Sequence, residues 1–411
     1  MGRLQKNLKS EHFSSFLLFF FILPLICFSQ KKQPDRLIYS ILQGKSPILD
    51  SVLANPGQFG LQIIFTEINR QKGGAVKFTE HSFGVNPNTY FYPASTVKLP
   101  IAMLSLQRVN ELKVQGLTMN SSMVTGSNSA FQTEVFNDPT SKDGRPSIAQ
   151  YIKKVLLVSD NDAFNRLYEF LGQEYINTSL RKHGYNSPQI LHRLSIPLSL
   201  EQNRITNPVT FYDTNCKVVY HQPELVSKFS YTRMPIFMGK GYYSDTTLVK
   251  EPFNFTNKNL IQLKDLNRMV KQIFFPGSMN TKSKISLTDS DYLFLRKYMG
   301  MIPGESDYPS YDIENYPDNY VKFLYYGGEP TAREPNLRIY NKVGDAYGFL
   351  TDAAYFQDTT NHVEFLLSCT IYCNSDGIFN DDKYDYQTIG LPFMKELGRC
   401  IYQYVKDKAR K

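Results

Sequence analysis

Apolar residues along the chain fall into two spacings, and the switches between them mark its elements. "DRLIYSILQGKSPILDSVLAN" (residues 35–55) has apolar positions at helical spacing. "FGLQIIFTEIN" and "GGAVKFTEHSFG", joined through "RQKGG", predict a β-hairpin. Helical spacing then returns in "TVKLPIAMLSLQRVNELK", "SIAQYIKKVLLVS", "DNDAFNRLYEFLGQEYINTSLRKHG" and "SLTDSDYLFLRKYMG". Residues 213–283 and 303–336 are richer in Tyr, Pro, Asn and Gly and read as loops or insertions. Near the end, "LRIYNKVG", "AYGFLTDAAYFQD" and "HVEFLLSCTIYC" are spaced as a strand meander, and "TIGLPFMKELGRCIYQYVKDKAR" closes the chain as a helix. The order is helix, two strands, a helical block, three strands, helix. It predicts an α+β fold: one antiparallel sheet built from both ends of the chain, packed on N- and C-terminal helices, with an all-helical second lobe.

The first 29 residues break this pattern. Arg3, Lys6 and Lys9 precede the apolar run "FSSFLLFFFILPLICF", with Cys27 and Ser29 as small residues before a cleavage at Gln30. They read as a signal peptide (residues 1–29) of a protein exported to the periplasm. A lipoprotein acylated at Cys27 and a retained anchor helix are the other readings. Removing this segment lowers the formal net charge from +8 to +6, spread without a Lys/Arg block, so nothing favours a nucleic-acid partner. Of the remaining cysteines, Cys369 and Cys373 lie four residues apart in a strand pattern, about 13 Å and beyond disulfide reach. No His/Cys spacing suits a metal, and no cofactor is expected.

Three short motifs carry the candidate chemistry. Ser95 and Lys98, in "YFYPASTVKLP", stand one helical turn apart after Pro93, at the start of a helix. A neutral Lys98 could take the proton of an attacking Ser95 hydroxyl, provided burial or another cation lowers its pKa. Pro100 would remove a helical N–H close by. S-x-x-K also occurs at Ser29/Lys32 and Ser179/Lys182, across the cleavage site and at a helix end. Ser159 and Asn161 belong to the single S-D-N, in "LLVSDNDAFNRL". They could relay a proton and hold a carbonyl, although S, D and N are also ordinary helix caps. Lys342 precedes Val343, Gly344 and Asp345 at the end of a strand, where a lysine would add a second cation and Gly344 would admit the close backbone approach of a substrate.

S-x-x-K, S-D-N and K-x-G, in this order and on this pattern of elements, resemble the penicillin-recognising serine hydrolases, most of all their class A β-lactamase branch. The resemblance implies a β-lactamase/transpeptidase-like fold over residues 30–411, with a helical lobe at about 92–300 and an insertion at about 213–336. It implies that Ser95 is acylated, that Lys98 is its base and that Ser159 passes a proton to the leaving group. Asn161 would hold substrate, Lys342 would be the electrostatic anchor, and the N–H groups of Ser95 and Asp345 would form an oxyanion hole. The substrate would be a small-molecule or peptide amide or ester, a β-lactam or peptidoglycan peptide among the candidates. Oligomeric state is not legible.

Two departures narrow this. Around "LHRLSIPLSLEQNRITNP" the carboxylate that family members use to release a β-lactam is missing: the position falls on an apolar or Ser residue, Leu198 by alignment, with Glu201 three residues on. Val343 stands where the family has a hydroxyl, and Asp345 adds a negative charge. A peptidoglycan-related DD-peptidase-type enzyme and a catalytically inactive envelope peptide-binding protein are the rival readings. The altered third motif is also compatible with a neutral or cationic recognition group.

Overall fold

The computed structural model describes residues 1–2, 36–232, 234–330 and 333–410. The expected signal segment and the Ser29/Lys32 pair fall outside them, apart from residues 1–2. The first helical pattern is broken into α1 (Arg36–Leu42) and α2 (Pro47–Ala54). Gly44, at φ 72°, turns the chain there, and the Ser46 hydroxyl caps α2 by accepting from the Leu49 N–H.

The expected hairpin forms as β1 (Gln62–Arg70) and β2 (Val76–Phe83). From the end of the chain come β3 (Leu337–Ala346), β4 (Phe349–Asp358) and β5 (Val363–Tyr372). All five pair antiparallel in the order β3-β4-β5-β1-β2, with β1 joined to β5 in the register Phe65↔Leu367. The two ends of the chain therefore complete one sheet, as the strand pattern predicts. β4 and β5 are buried along almost their whole length because both faces of the sheet are covered. On one face, α1, α2 and the C-terminal α10 (Leu391–Ala409) bury Ile38, Leu49, Phe393 and Leu397 against Phe356 and Phe365.

The other face carries the helical lobe: α3 (Lys98–Leu112), α4 (Ile148–Leu157), α5 (Asn161–Leu171), α6 (Gln173–Lys182), α7 (Leu200–Arg204), α8 (Leu263–Phe274) and α9 (Asp289–Gly300). Gly172, at φ 73°, splits the single pattern of residues 160–184 into α5 and α6. The region read as loops, 213–283, holds α8, whose buried Leu266, Met269 and Val270 join the core shared with Leu366 and Tyr355 of the sheet. Pro100 is the third residue of α3, within the first turn, where a missing N–H is tolerated.

Between α9 and β3 the chain crosses the sheet edge as a tyrosine-rich strap, residues 303–328. Lys322, buried within it, donates to the Met299 carbonyl (2.9 Å), the Ile339 carbonyl (2.9 Å) and Asn341 Oδ1 (2.7 Å). Asn341 Nδ2 in turn donates to the Val321 carbonyl and to Asp352 Oδ1, both at 2.8 Å. Edge strand β3 is thus tied down by side chains instead of by a further strand.

Candidate active site

Ser95 lies in a 3-10 turn, Ala94–Val97, that runs directly into α3. Ala94 before it has φ 45°, a left-handed conformation that a residue with a Cβ rarely adopts. Ser159, Ser195 and Tyr347 are also left-handed, at φ 59°, 53° and 54°. Strained backbone thus surrounds one cleft.

The turn is braced from the sheet. A Cβ on Gly344 would stand 2.6 Å from the Pro93 carbonyl oxygen and 2.8 Å from the backbone nitrogens of Ser95 and Thr96. What comes close at this glycine is the Ser95 turn, where the sequence led us to expect a substrate: β3 can lie against that turn only without a side chain here.

The three motifs converge on Lys98, which is wholly buried. Its Nζ lies 2.7 Å from Ser95 Oγ, 2.6 Å from Asn161 Oδ1 and 3.2 Å from Ser159 Oγ, and it also donates to the Ser159 carbonyl. Burial first, and the charge of Lys342 second, hold the Lys98 ammonium well below the usual lysine range. Lys342, itself buried, has its Nζ 2.8 Å from Ser159 Oγ and 2.8 Å from the Val343 carbonyl oxygen. Burial lowers its pKa to about 7, against the pull of Asp345 and Asp352. A neutral amine beside a serine hydroxyl is what proton removal at neutral pH requires.

S-D-N divides its labour. The Asp160 carboxylate caps α5, accepting from the Ala163 N–H at 2.8 Å, so it is the helix cap that such a sequence ordinarily supplies. Ser159 and Asn161, on either side, point their polar atoms at the two lysines and the cleft.

Val343 and Asp345 differ from each other. The Val343 side chain is buried in the core beneath the terminal helices, with Ile339 and Val321. It does not occupy the substrate-facing place expected of it, because strand alternation turns it to the opposite face from Lys342. Asp345, two residues on and paired with Leu350, is open to solvent. The surrounding protein mass raises its carboxyl pKa, while Lys342 and Lys98 pull it down.

The stretch aligned to the missing carboxylate is pinned on both sides. Arg193 Nε meets Glu169 Oε1 at 2.9 Å inside the helical lobe, and Arg166 Nη1 meets Glu169 Oε2 at 3.0 Å. Asn165 exchanges hydrogen bonds with the backbone of Leu194 at 2.9 and 3.0 Å. The next residue, Ser195, therefore faces the site, and Asn161 Nδ2 donates to its Oγ at 2.8 Å. The alignment to Leu198 is corrected by three positions: the residue opposite Asn161 is Ser195. Glu201 is exposed on α7, accepts from Ser199 Oγ at 3.0 Å, and has its carboxyl held low first by a backbone hydrogen bond. Among the described residues, no carboxylate is hydrogen-bonded to Ser95, Lys98 or Asn161.

Ser195, Lys322 and Asp352 are the site-supporting residues that sequence reasoning missed. Ser195 lies two residues after Arg193, but that Arg193 anchors the loop shows only in its buried pair with Glu169. Lys322 and Asp352, pushed by burial to about 7 and about 6, lie thirty residues apart with no pattern linking them. Among the described residues, no group of three or more His, Cys, Asp or Glu side chains could hold a metal ion. The four described cysteines are free, with Cys369 buried on β5 and Cys373 buried just beyond its end.

Comparison with known proteins gives a match of residues 61–259 to the model described as "Beta-lactamase2: Beta-lactamase enzyme family". That stretch contains Ser95, Lys98, Ser159 and Asn161 and stops short of Lys342. The comparison with curated proteins gave no match. Among solved structures, a β-lactamase from Sphaerobacter thermophilus DSM 20745 is 11% identical, with TM-score 0.49, covering 90% of this chain and 96% of that one. PBP-A is 15% identical, with TM-score 0.48, covering 91% and 98%. A β-lactamase from Desulfarculus baarsii DSM 2075 is 13% identical, with TM-score 0.48, covering 89% and 97%.

Proposed function

Taking as premise a chain that resembles the penicillin-recognising serine enzymes, we propose that it is an exported serine hydrolase that forms an acyl-enzyme at Ser95 and releases β-lactam-derived acyl groups slowly. The observation that carries this reading is the buried Lys98, 2.7 Å from Ser95 Oγ and within reach of Ser159 and Asn161. Export rests on the signal-like residues 1–29.

In the proposed reaction Ser95 Oγ attacks the carbonyl of an amide or ester and its proton passes to neutral Lys98. The developing oxyanion accepts from the Ser95 and Asp345 N–H groups. As the C–N or C–O bond breaks, the departing atom takes the Ser159 hydroxyl proton. Ser159 is resupplied from the lysines whose Nζ atoms lie 3.2 and 2.8 Å from its Oγ. Release then needs a water made nucleophilic near the ester carbonyl. Ser195 can orient such a water, but a serine hydroxyl is far too weak a base at neutral pH to take its proton.

The test is incubation of the mature protein with a fluorescent penicillin and with an activated ester, followed by intact mass. A mass increase at Ser95 that persists supports the reading. Rapid turnover of the penicillin would overturn the slow-release half of it. No adduct with any acyl donor, or labelling unchanged in Ser95→Ala, would sink the nucleophile assignment and favour a binding role without chemistry.

A further inference from the structure

A further buried lysine lies against the strand that carries Lys342, and no step of the proposed reaction uses it. Lys322 comes from the strap and is buried together with Asn341 and Asp352. An ammonium has three N–H donors. Those of Lys322 go to the Met299 carbonyl (2.9 Å), the Ile339 carbonyl (2.9 Å) and Asn341 Oδ1 (2.7 Å). Asn341 places its two Nδ2 donors on the Val321 carbonyl and on Asp352 Oδ1, each at 2.8 Å. Asp352 Oδ2 accepts from the Leu324 N–H at 3.0 Å. The network is closed: it clips Val321, Lys322 and Leu324 of the strap to β3 and β4, and every side-chain donor in it has an acceptor.

This network grips β3 on both sides of Lys342. Asn341 precedes it, and Asp352 is the partner across the sheet of Val343, which follows it. Ile339 and Val343 stand an even number of residues apart, so their carbonyls lie on one edge of the strand. Each accepts from a buried lysine: Ile339 from Lys322 at 2.9 Å, Val343 from Lys342 at 2.8 Å. The Met299 carbonyl belongs to the last turn of α9, where carbonyls lack helical partners and a cation is favoured. α9 also meets β3 without clearance, since a Cβ on Gly300 would stand 2.5 Å from the Tyr340 ring. Lys322 therefore fixes β3 to the end of α9, as Lys342 fixes it to Ser159, whose Oγ is 2.8 Å from its Nζ. An apolar side chain in place of Lys322 would leave three buried acceptors unpaired, and β3 would shift to relieve them.

We propose that Lys322 is a positioning residue for acylation: through Asn341 and the edge of β3 it holds Lys342 Nζ against Ser159 Oγ, where the leaving group receives its proton. This rests on the acyl-enzyme reading above and deepens it. The consequence is selective. A leaving group that needs a proton feels a displaced Lys342, and one that departs as a stable anion does not.

The test compares the rates at which benzylpenicillin and p-nitrophenyl acetate acylate Ser95, read from intact mass against a Ser95→Ala background. With the penicillin, the Ser95 Oγ–C bond forms, the C–N bond breaks and the nitrogen takes the Ser159 proton. With the ester, the C–O bond breaks and p-nitrophenolate leaves without a proton. In both, the Ser95 proton goes to Lys98. The penicillin-to-ester ratio, taken within each variant, removes any general loss and any effect on Lys98. We expect Lys342→Met to lower this ratio. Lys322→Met should lower it about tenfold, within the roughly hundredfold that a displacement of about 1 Å can cost. Lys322→Arg, which keeps the charge and the donors, should recover part of it. The double variant should show no lower ratio than Lys342→Met alone, because Lys322 acts through Lys342. Should Lys322→Met not fold, Lys322→Gln, which keeps N–H donors on the side chain, takes its place. An unchanged ratio in the folded Lys322 variant, or a further fall in the double variant, overturns the positioning role and leaves the acyl-enzyme reading standing. Failure of both Lys322 variants to fold overturns it as well, by making Lys322 a residue of the fold alone. Absence of a Ser95 adduct with either compound in the unaltered protein overturns both.

Discussion

The two ends of the Asn161 amide look onto two differently equipped halves of the cleft. Its Oδ1 meets Lys98 Nζ at 2.6 Å, within a set of two buried lysines and two half-buried serines. Its Nδ2 meets one exposed hydroxyl, Ser195 Oγ, at 2.8 Å. The first half contains groups whose proton affinities burial has moved toward neutrality. The second contains none among the described residues. Attack and release make separate demands, and a fold can meet the first without meeting the second.

The comparison is broken most severely by Ser95→Ala, which should abolish the adduct altogether in intact-mass measurements. Lys98→Ala should slow acylation about 10²–10⁴-fold, the usual worth of a positioned base, while leaving Ser95 in place. A loss smaller than tenfold would move the base elsewhere. Ser195→Glu tests the other half: a carboxylate opposite Asn161 should speed loss of the penicilloyl adduct at least about tenfold, read as decay of the bound mass. Unchanged decay would mean that release is limited by something other than a missing base.

Lys342→Met should shift the pH dependence of acylation to higher pH, because it removes the charge that helps hold Lys98 low. The same variant has a smaller effect on stability, of opposite sense. Folding lowers the Lys342 pKa from 10.5 to about 7, so between these values the unfolded chain binds more protons and stability rises with pH. With methionine there, melting temperatures near pH 7 should be higher and their rise toward pH 10 flatter.

Periodic parts of the molecule were readable in the sequence. β1 to β5 and α10 announce themselves because each has a buried face repeating at its own spacing. α8 has the same signal in Leu263, Leu266, Met269, Val270 and Ile273 but is flanked by polar, glycine- and tyrosine-rich chain that hides it. The lysines and serines of the three motifs were legible because each motif is local, held by one helical turn or one strand end. Ser195 was not, since an irregular loop has no period to align on and its register depends on buried contacts of Arg193 and Asn165. The Lys322–Asn341–Asp352 network was hidden for a related reason. A buried lysine becomes tolerable only where the fold supplies three acceptors, which nothing near residue 322 in the sequence foretells.

The bare Cα of Gly344 has a consequence for how the site works over time. The edge of the sheet rests on the backbone of the Ser95 turn, so Ser95 and the β3 end of the cleft are packed directly against each other. Their alignment is set once, during folding, and does not have to be found anew with every substrate that arrives. Gly344→Ala would wedge that seam open by the width of a methyl group, so its damage would register as a slower encounter geometry at Ser95 before it registered as lost stability.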